Sequence, residues 1–179
     1  MDGTEWNIAE TSPVFGTAGR MPLDDPETEV TIHPVSILPI RNAAVENQKI
    51  KIQKNGYILV DFFHIEVGKV SFIAKGEGKL TAFVGESPEE ALNENTKLFE
   101  HPIESYSLTE GEQQIILPER AVRYLKIFSD KECEISDVKF KAKIWPVDFL
   151  MSFECNDERM NNIWNASVAS LHTSTHGFY

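Results

Sequence analysis

Asp137-Val138-Lys139-Phe140-Lys141-Ala142-Lys143-Ile144-Trp145 alternates without a break, with Val138, Phe140, Ala142 and Ile144 on one side and three lysines on the other. Successive side chains of a strand point to opposite faces, so this stretch predicts a β-strand with one face in a core and one in water. The same period recurs upstream. Gly68 to Ala74 places Val70, Phe72 and Ala74 on one face, and Lys79 to Val84 does so with Leu80, Ala82 and Val84. Tyr57 to Phe63 is a nearly continuous apolar run, as a central strand would be, and Glu29–Val35, Gln113–Leu117 and Val122–Phe128 are further strand-like segments.

Turn-forming residues separate these runs: Asn55-Gly56, Gly76-Glu77-Gly78, Glu110-Gly111 and Ser129-Asp130, with Gly76-Glu77-Gly78 read as a hairpin turn. Many strands, short turns and no long intervening helix predict a mainly β protein, an antiparallel, jelly-roll-like β-sandwich over residues 30–148. One internal helical turn is expected at Ser87-Pro88-Glu89-Glu90-Ala91-Leu92, where Ser87 can cap and Pro88 suits the first helical position. Residues 93–108 read as a polar loop with a short strand. Residues 1–29, punctuated by Pro13, Gly16, Gly19, Pro22 and Pro26, read as an irregular leader or linker.

The pattern changes after residue 148. Met160, Ile163, Trp164, Val168 and Leu171 follow steps that fall on one face of a 3.6-residue helix. Asn156 is the expected N-cap, and Asp157 and Glu158 suit the positive end of the helix dipole. An isolated helix of this length is marginal in water. Burying five such side chains is worth about 10 kcal/mol, on the scale of a whole domain's stability. The sequence therefore predicts that residues 149–179 are a linker and the first helix of a second, helical domain.

A net charge of −11 argues against nucleic acid and anionic membranes as partners and is compatible with a neutral ligand such as a sugar. No apolar run reaches the roughly 18 residues needed to span a bilayer, and Met1 to Trp6 lacks the basic and apolar regions of a signal peptide. Cys133 and Cys155 read as two buried thiols. His33, His64 and His101 are scattered; His172 and His176 are four apart but lack an acidic third ligand, so no metal and no cofactor are expected. Asp61, Glu66 and Glu86 are the carboxylates that lie within or just after apolar strands, and each reads first as a satisfied strand-end or turn group. Trp6, Tyr57, Tyr106, Tyr124 and Trp145 are the aromatics that could stack on a sugar, Tyr57 and Tyr124 being better placed for the core. Asn165-Ala166-Ser167 fits a glycosylation sequon but falls in mid-helix.

Four motifs then carry a resemblance. Ile58-Leu59-Val60-Asp61-Phe62-Phe63-His64-Ile65-Glu66-Val67-Gly68 resembles the "D-F-G, four residues, G" strand of the β-sandwich before the catalytic barrel in bacterial α-L-rhamnosidases, inverting glycoside hydrolases. Phe83-Val84-Gly85-Glu86-Ser87 is similar to the "G-E-S" turn of that domain, and Arg123-Tyr124-Leu125-Lys126-Ile127 to its "R-Y-L-R-I" strand. Phe153 to Trp164 resembles the start of the family's (α/α)6 barrel. Phe63 stands where the family has glycine, so the local turn or its packing is expected to differ.

The resemblance implies a non-catalytic β-sandwich that supports a barrel cleaving terminal α-L-rhamnose, in a periplasmic or extracellular setting. It places the acid and base carboxylates downstream of Tyr179, so this chain is expected to be inactive and to carry no catalytic residue. Its expected partners are the remainder of the catalytic domain and possible copies of itself through the helix. The alternatives from other classes are a stand-alone carbohydrate-binding module, whose binding residues the sequence does not name, and a protein-interaction domain.

Overall fold

A computed structural model describes residues 28–46, 49–93, 104–144 and 152–174. The strands are β1 (Thr28–Ile32), β2 (Ser36–Glu46), β3 (Lys49–Gly76), β4 (Gly78–Gly85), β5 (Glu104–Leu108), β6 (Glu112–Ile116), β7 (Arg120–Ser129) and β8 (Cys133–Ile144). A short helix α1 (Pro88–Leu92) lies between β4 and β5, and α2 (Glu158–Ser174) follows β8. All strand pairings among the described residues are antiparallel.

The 28 residues of β3 run through both layers of the sandwich. Its first part lies between β2 and β7, giving a layer ordered β5-β4-β7-β3-β2, and its last part lies between β8 and β6, giving β1-β8-β3-β6. The register shifts between Asp61 and Glu66, where the strand bends from one layer into the other. The start of β8 then closes the curl. Ile135 is paired with Ile50 on one side and Ala74 on the other, and Cys133 with Ile52 and Gly76.

The faces that alternate in the sequence meet as one core. Ile58, Val60, Leu80, Leu125 and Ile127 from one layer pack with Val70, Phe72, Ala74, Val138, Phe140 and Ala142 from the other. The Phe62 and Phe140 rings meet at 5.3 Å between centroids across the bend. Lys141 stays exposed, while Lys139 and Lys143 reach Asp137 (2.8 Å) and Glu119 (3.1 Å).

The turns differ from their sequence reading. Gly76-Glu77-Gly78 is not a hairpin, because β3 and β4 do not pair. Glu110-Gly111 and Ser129-Asp130 likewise join strands that do not pair with each other. They are corners that carry the chain between layers, and alternation alone does not say which strand a turn leads to. The Ser129-Asp130 corner is pinned to β4: Lys79 N–H donates to Asp130 Oδ1 (2.6 Å), and Asp130 N–H donates to the Lys79 carbonyl (3.1 Å). Asn55-Gly56 is not a turn at all. It lies inside β3, where Asn55 takes φ +57° opposite the bulged part of β2. β2 itself has no sequence signal, since its apolar Leu38 and Ile40 are exposed and Pro39 interrupts it.

Two glycines are fixed by close backbone approach. A Cβ on Gly68 would lie 2.1 Å from the Lys141 carbonyl oxygen, at the point where β3 is flanked by both β8 and β7. A Cβ on Gly85 would lie 2.7 Å from the Ala91 backbone nitrogen, so this glycine lets α1 settle on the sheet. The expected helical turn is present: Ser87 Oγ accepts from Glu90 N–H (3.1 Å), and Pro88 sits in the first turn. Ala91 then packs with Leu59 and Tyr124 on the outer face. Residues 104–108 provide the short strand expected within 93–108; residues 94–103 lie outside the described residues, as does the leader as far as residue 27.

In α2 the N-cap is Asp157, not Asn156. Its Oδ1 accepts from Arg159 N–H (3.0 Å), and its carbonyl accepts from Asn161 N–H (3.2 Å). The Asn161 side chain also clamps Cys155, accepting from its N–H (2.9 Å) and donating to its carbonyl (2.8 Å). Asn161 is four residues past the cap in the helix, and an amide that bonds back to the chain ahead of a helix is a signal that cap propensity alone misses. Phe153 stacks near Trp164 at 5.5 Å and fixes the direction of approach.

Gly68→Ala is expected to cost about 3 kcal/mol, the upper range for forcing a methyl into a packed site. Urea unfolding of the two proteins checks it, and a cost below 1 kcal/mol would mean that β3 and β8 are not this close.

Candidate functional site

The bend of β3 gathers more chemistry than any other point described. Asp61 Oδ1 accepts from the Phe63 N–H (2.7 Å) and from Arg123 Nε (3.2 Å). Arg123 lies over the Tyr124 ring at 4.8 Å, and the Asp61 side chain remains about 20% exposed. Burial alone would raise the Asp61 pKa; the bonds from Arg123 and Phe63, the Arg123 charge and the Tyr124 hydroxyl outweigh it and hold the carboxyl below its ordinary value.

Phe63 stands at the position where the resemblance leads one to expect glycine. It takes φ +76°, the left-handed region, is 56% exposed, and its ring makes a T-shaped contact with His64 at 4.4 Å. A bulky residue thus does take a positive φ at this position. The Asp61 carboxylate holds the Phe63 N–H in place, at a strain of about 1–2 kcal/mol for a non-glycine residue.

The other carboxylates play separate parts. Glu66 is buried just past the bend. Glu86 is exposed ahead of α1, where its N–H donates to Glu90 Oε2 (2.7 Å). His33 and His64 are exposed and His172 is half-buried; His101 and His176 lie outside the described residues. Among the described residues, no three His, Cys, Asp or Glu side chains converge as a metal site would require.

Cys133 is buried, and burial first, with Asp130 and Glu132 adding to it, pushes its thiol pKa up against a hydrogen bond from Ser129. Cys155 is half-exposed and not buried as expected, because the segment ahead of α2 stands clear of the core. The cleft beside Cys133, about 490 Å³, is lined by lysines and glutamates that partly pair, as in Lys131–Glu77 at 3.7 Å.

Of the candidate aromatics, Tyr124 is buried beneath α1 and Tyr106 is half-buried, its hydroxyl donating to the Ile116 carbonyl (3.4 Å). Tyr57 is half-buried in a row of cations and rings that the sequence reading did not find. Arg41 lies over it at 4.8 Å, and Lys126, only 1% exposed, lies 4.9 Å from it and 4.3 Å from Phe83. Trp6 and Trp145 lie outside the described residues. The partners in this row come from four strands, so only their register could have revealed it.

α2 presents the second feature. Met160, Ile163 and Leu171 are 47%, 50% and 62% exposed, while Trp164 and Val168 are half-buried. The helix approaches β3, but no residue of it is buried.

No protein-family model matches the chain, and no curated protein matches it by sequence. Solved structures do. The fold is similar to part of a rhamnosidase. A Klebsiella oxytoca rhamnosidase with rhamnose bound superposes with a TM-score of 0.69 at 14% identity, over 85% of this chain and 36% of that one. A GH78 family rhamnosidase of Bacillus sp. GL1 superposes with a TM-score of 0.53 at 20% identity, over 75% of this chain and 14% of that one. A family 29 carbohydrate-binding module is more distant, at a TM-score of 0.42. At these identities the likeness is one of fold, and the chain spans little more than a third, or less, of the two rhamnosidases.

Because the Asp61 pKa is lowered by folding, its contribution to stability is full above the unfolded value and is lost as pH falls through the folded one. The acid limb of stability below about pH 4 is therefore expected to flatten in Asp61→Asn, as measured by thermal unfolding between pH 2 and 7. An unchanged slope would remove Asp61 from the acid response.

Proposed function

We propose that this chain is the β-sandwich of a rhamnosidase-like glycoside hydrolase together with the first helix of its catalytic domain, and that the sandwich supports catalysis without performing it. The observation that carries this reading is the uncovered apolar face of α2, placed directly after a sandwich that is similar in fold to part of two rhamnosidases. A helix that leaves Ile163 and Leu171 half or more exposed forgoes roughly 1.5–3 kcal/mol per side chain of burial, and further helices of a barrel would supply the missing surface. The order of the motifs along the chain supports the same reading.

On this reading the 179-residue chain does not hydrolyse an aryl α-L-rhamnoside, whereas the protein extended beyond Tyr179 does. Equal turnover by both would place catalysis within the chain and overturn the proposal. Stability gives a separate check. Ile163→Ala and Leu171→Ala are each expected to change unfolding of this chain by less than about 0.5 kcal/mol. In the extended protein the same substitutions are expected to cost about 2–5 kcal/mol, as for a core position. A negligible cost in both would show that nothing covers the helix.

A further inference from the structure

We propose that the bend of β3 is a sugar-binding site, in which the Phe63 ring stacks on the apolar face of a neutral monosaccharide unit while Arg123 and Asp61 take its hydroxyls. Three observations converge there. Phe63 is a large, exposed aromatic held in a left-handed conformation that glycine would adopt without strain, so the ring is not there for the backbone's sake. His64 meets that ring in a T-shaped contact at 4.4 Å and steadies it, while Phe63 stays 56% exposed. Beside it, Arg123 commits only Nε to Asp61, and its two terminal nitrogens have no hydrogen-bond partner among the described residues.

The chemistry selects the class of ligand. A flat apolar surface beside a fork of donors and a carboxylate acceptor matches a pyranose, which has an apolar C–H face and a rim of hydroxyls that donate and accept. An anion would meet the Asp61 carboxylate in a chain of net charge −11. A purely apolar partner would strip water from the guanidinium and carboxylate without replacing their hydrogen bonds. Val35, 60% exposed, donates its N–H to the Asp61 carbonyl (2.9 Å) and extends the apolar surface on that side. The naming of rhamnose as the first sugar to try rests on the rhamnosidase-like reading; the location of the site does not.

The experiment is a titration of the 179-residue chain with L-rhamnose, D-glucose, D-galactose and D-mannose, followed by amide chemical shifts. It is repeated for Phe63→Gly, which suits the backbone as it stands, and for Phe63→Trp. Saturable shifts centred on residues 61–64 and 123 are expected, weakened at least tenfold in Phe63→Gly and retained in Phe63→Trp, with the thermal midpoint of Phe63→Gly no lower than that of the parent. Binding of another of the four sugars at these residues, but not of rhamnose, upholds the site and counts against the rhamnosidase-like reading alone. No saturable binding of any of the four, or equal binding by Phe63→Gly, overturns the site and leaves that reading to the hydrolysis assay.

Discussion

The fold depends on one strand changing layers at one point, and a single carboxylate holds that point. β3 can serve both halves of the sandwich only if it bends between Asp61 and Glu66. The bend requires a residue with positive φ, whose N–H has lost its place in the ladder. Asp61 supplies the acceptor for that N–H and draws Arg123 from β7 onto the same oxygen. Past the bend, the backbone of β3 comes so close to β8 that only glycine fits at residue 68. The two layers, the shared core and the closure at β8 all follow from the passage of this strand.

Much of this was legible in the sequence, and the parts that were not share a cause. Val70, Phe72 and Ala74, with Val138, Phe140 and Ala142, were assigned to the core from alternation, and all six are buried. Pattern reports which face a residue takes, because a pleated strand has only two. It does not report which strand lies alongside. Hence the expected hairpin at Gly76-Glu77-Gly78 is a corner between layers, and two strand-like runs, Tyr57–Phe63 and Gly68–Ala74, are one continuous strand. β2 escaped notice because an edge strand with exposed apolar residues has no alternation to read.

The candidate site divides in the same way. Asp61 stood out as a carboxylate in an apolar run, and Phe63 as a bulky residue in a glycine position. Their joint role could not be read, because Arg123 reaches them from 62 residues away. The reasoning that a bulky residue avoids left-handed angles is sound for an isolated turn. Here a hydrogen bond to the Phe63 backbone offsets the steric cost of its positive φ. Lys126 was hidden likewise, its surroundings of Tyr57 and Phe83 being set by register across neighbouring strands.

The pairing of β1 with β8 has a consequence for synthesis. Thr28 lies opposite Ile144, so the first and last described strands of the sandwich are neighbours. Loop closure on this scale must be completed before the contact contributes, which slows the final step of folding. On the ribosome, the sheet cannot close until Ile144 has left the exit tunnel. By then α2 is being synthesised behind it. The sandwich would therefore finish folding as the helix emerges, which limits the time during which the helix is exposed next to an open sheet edge.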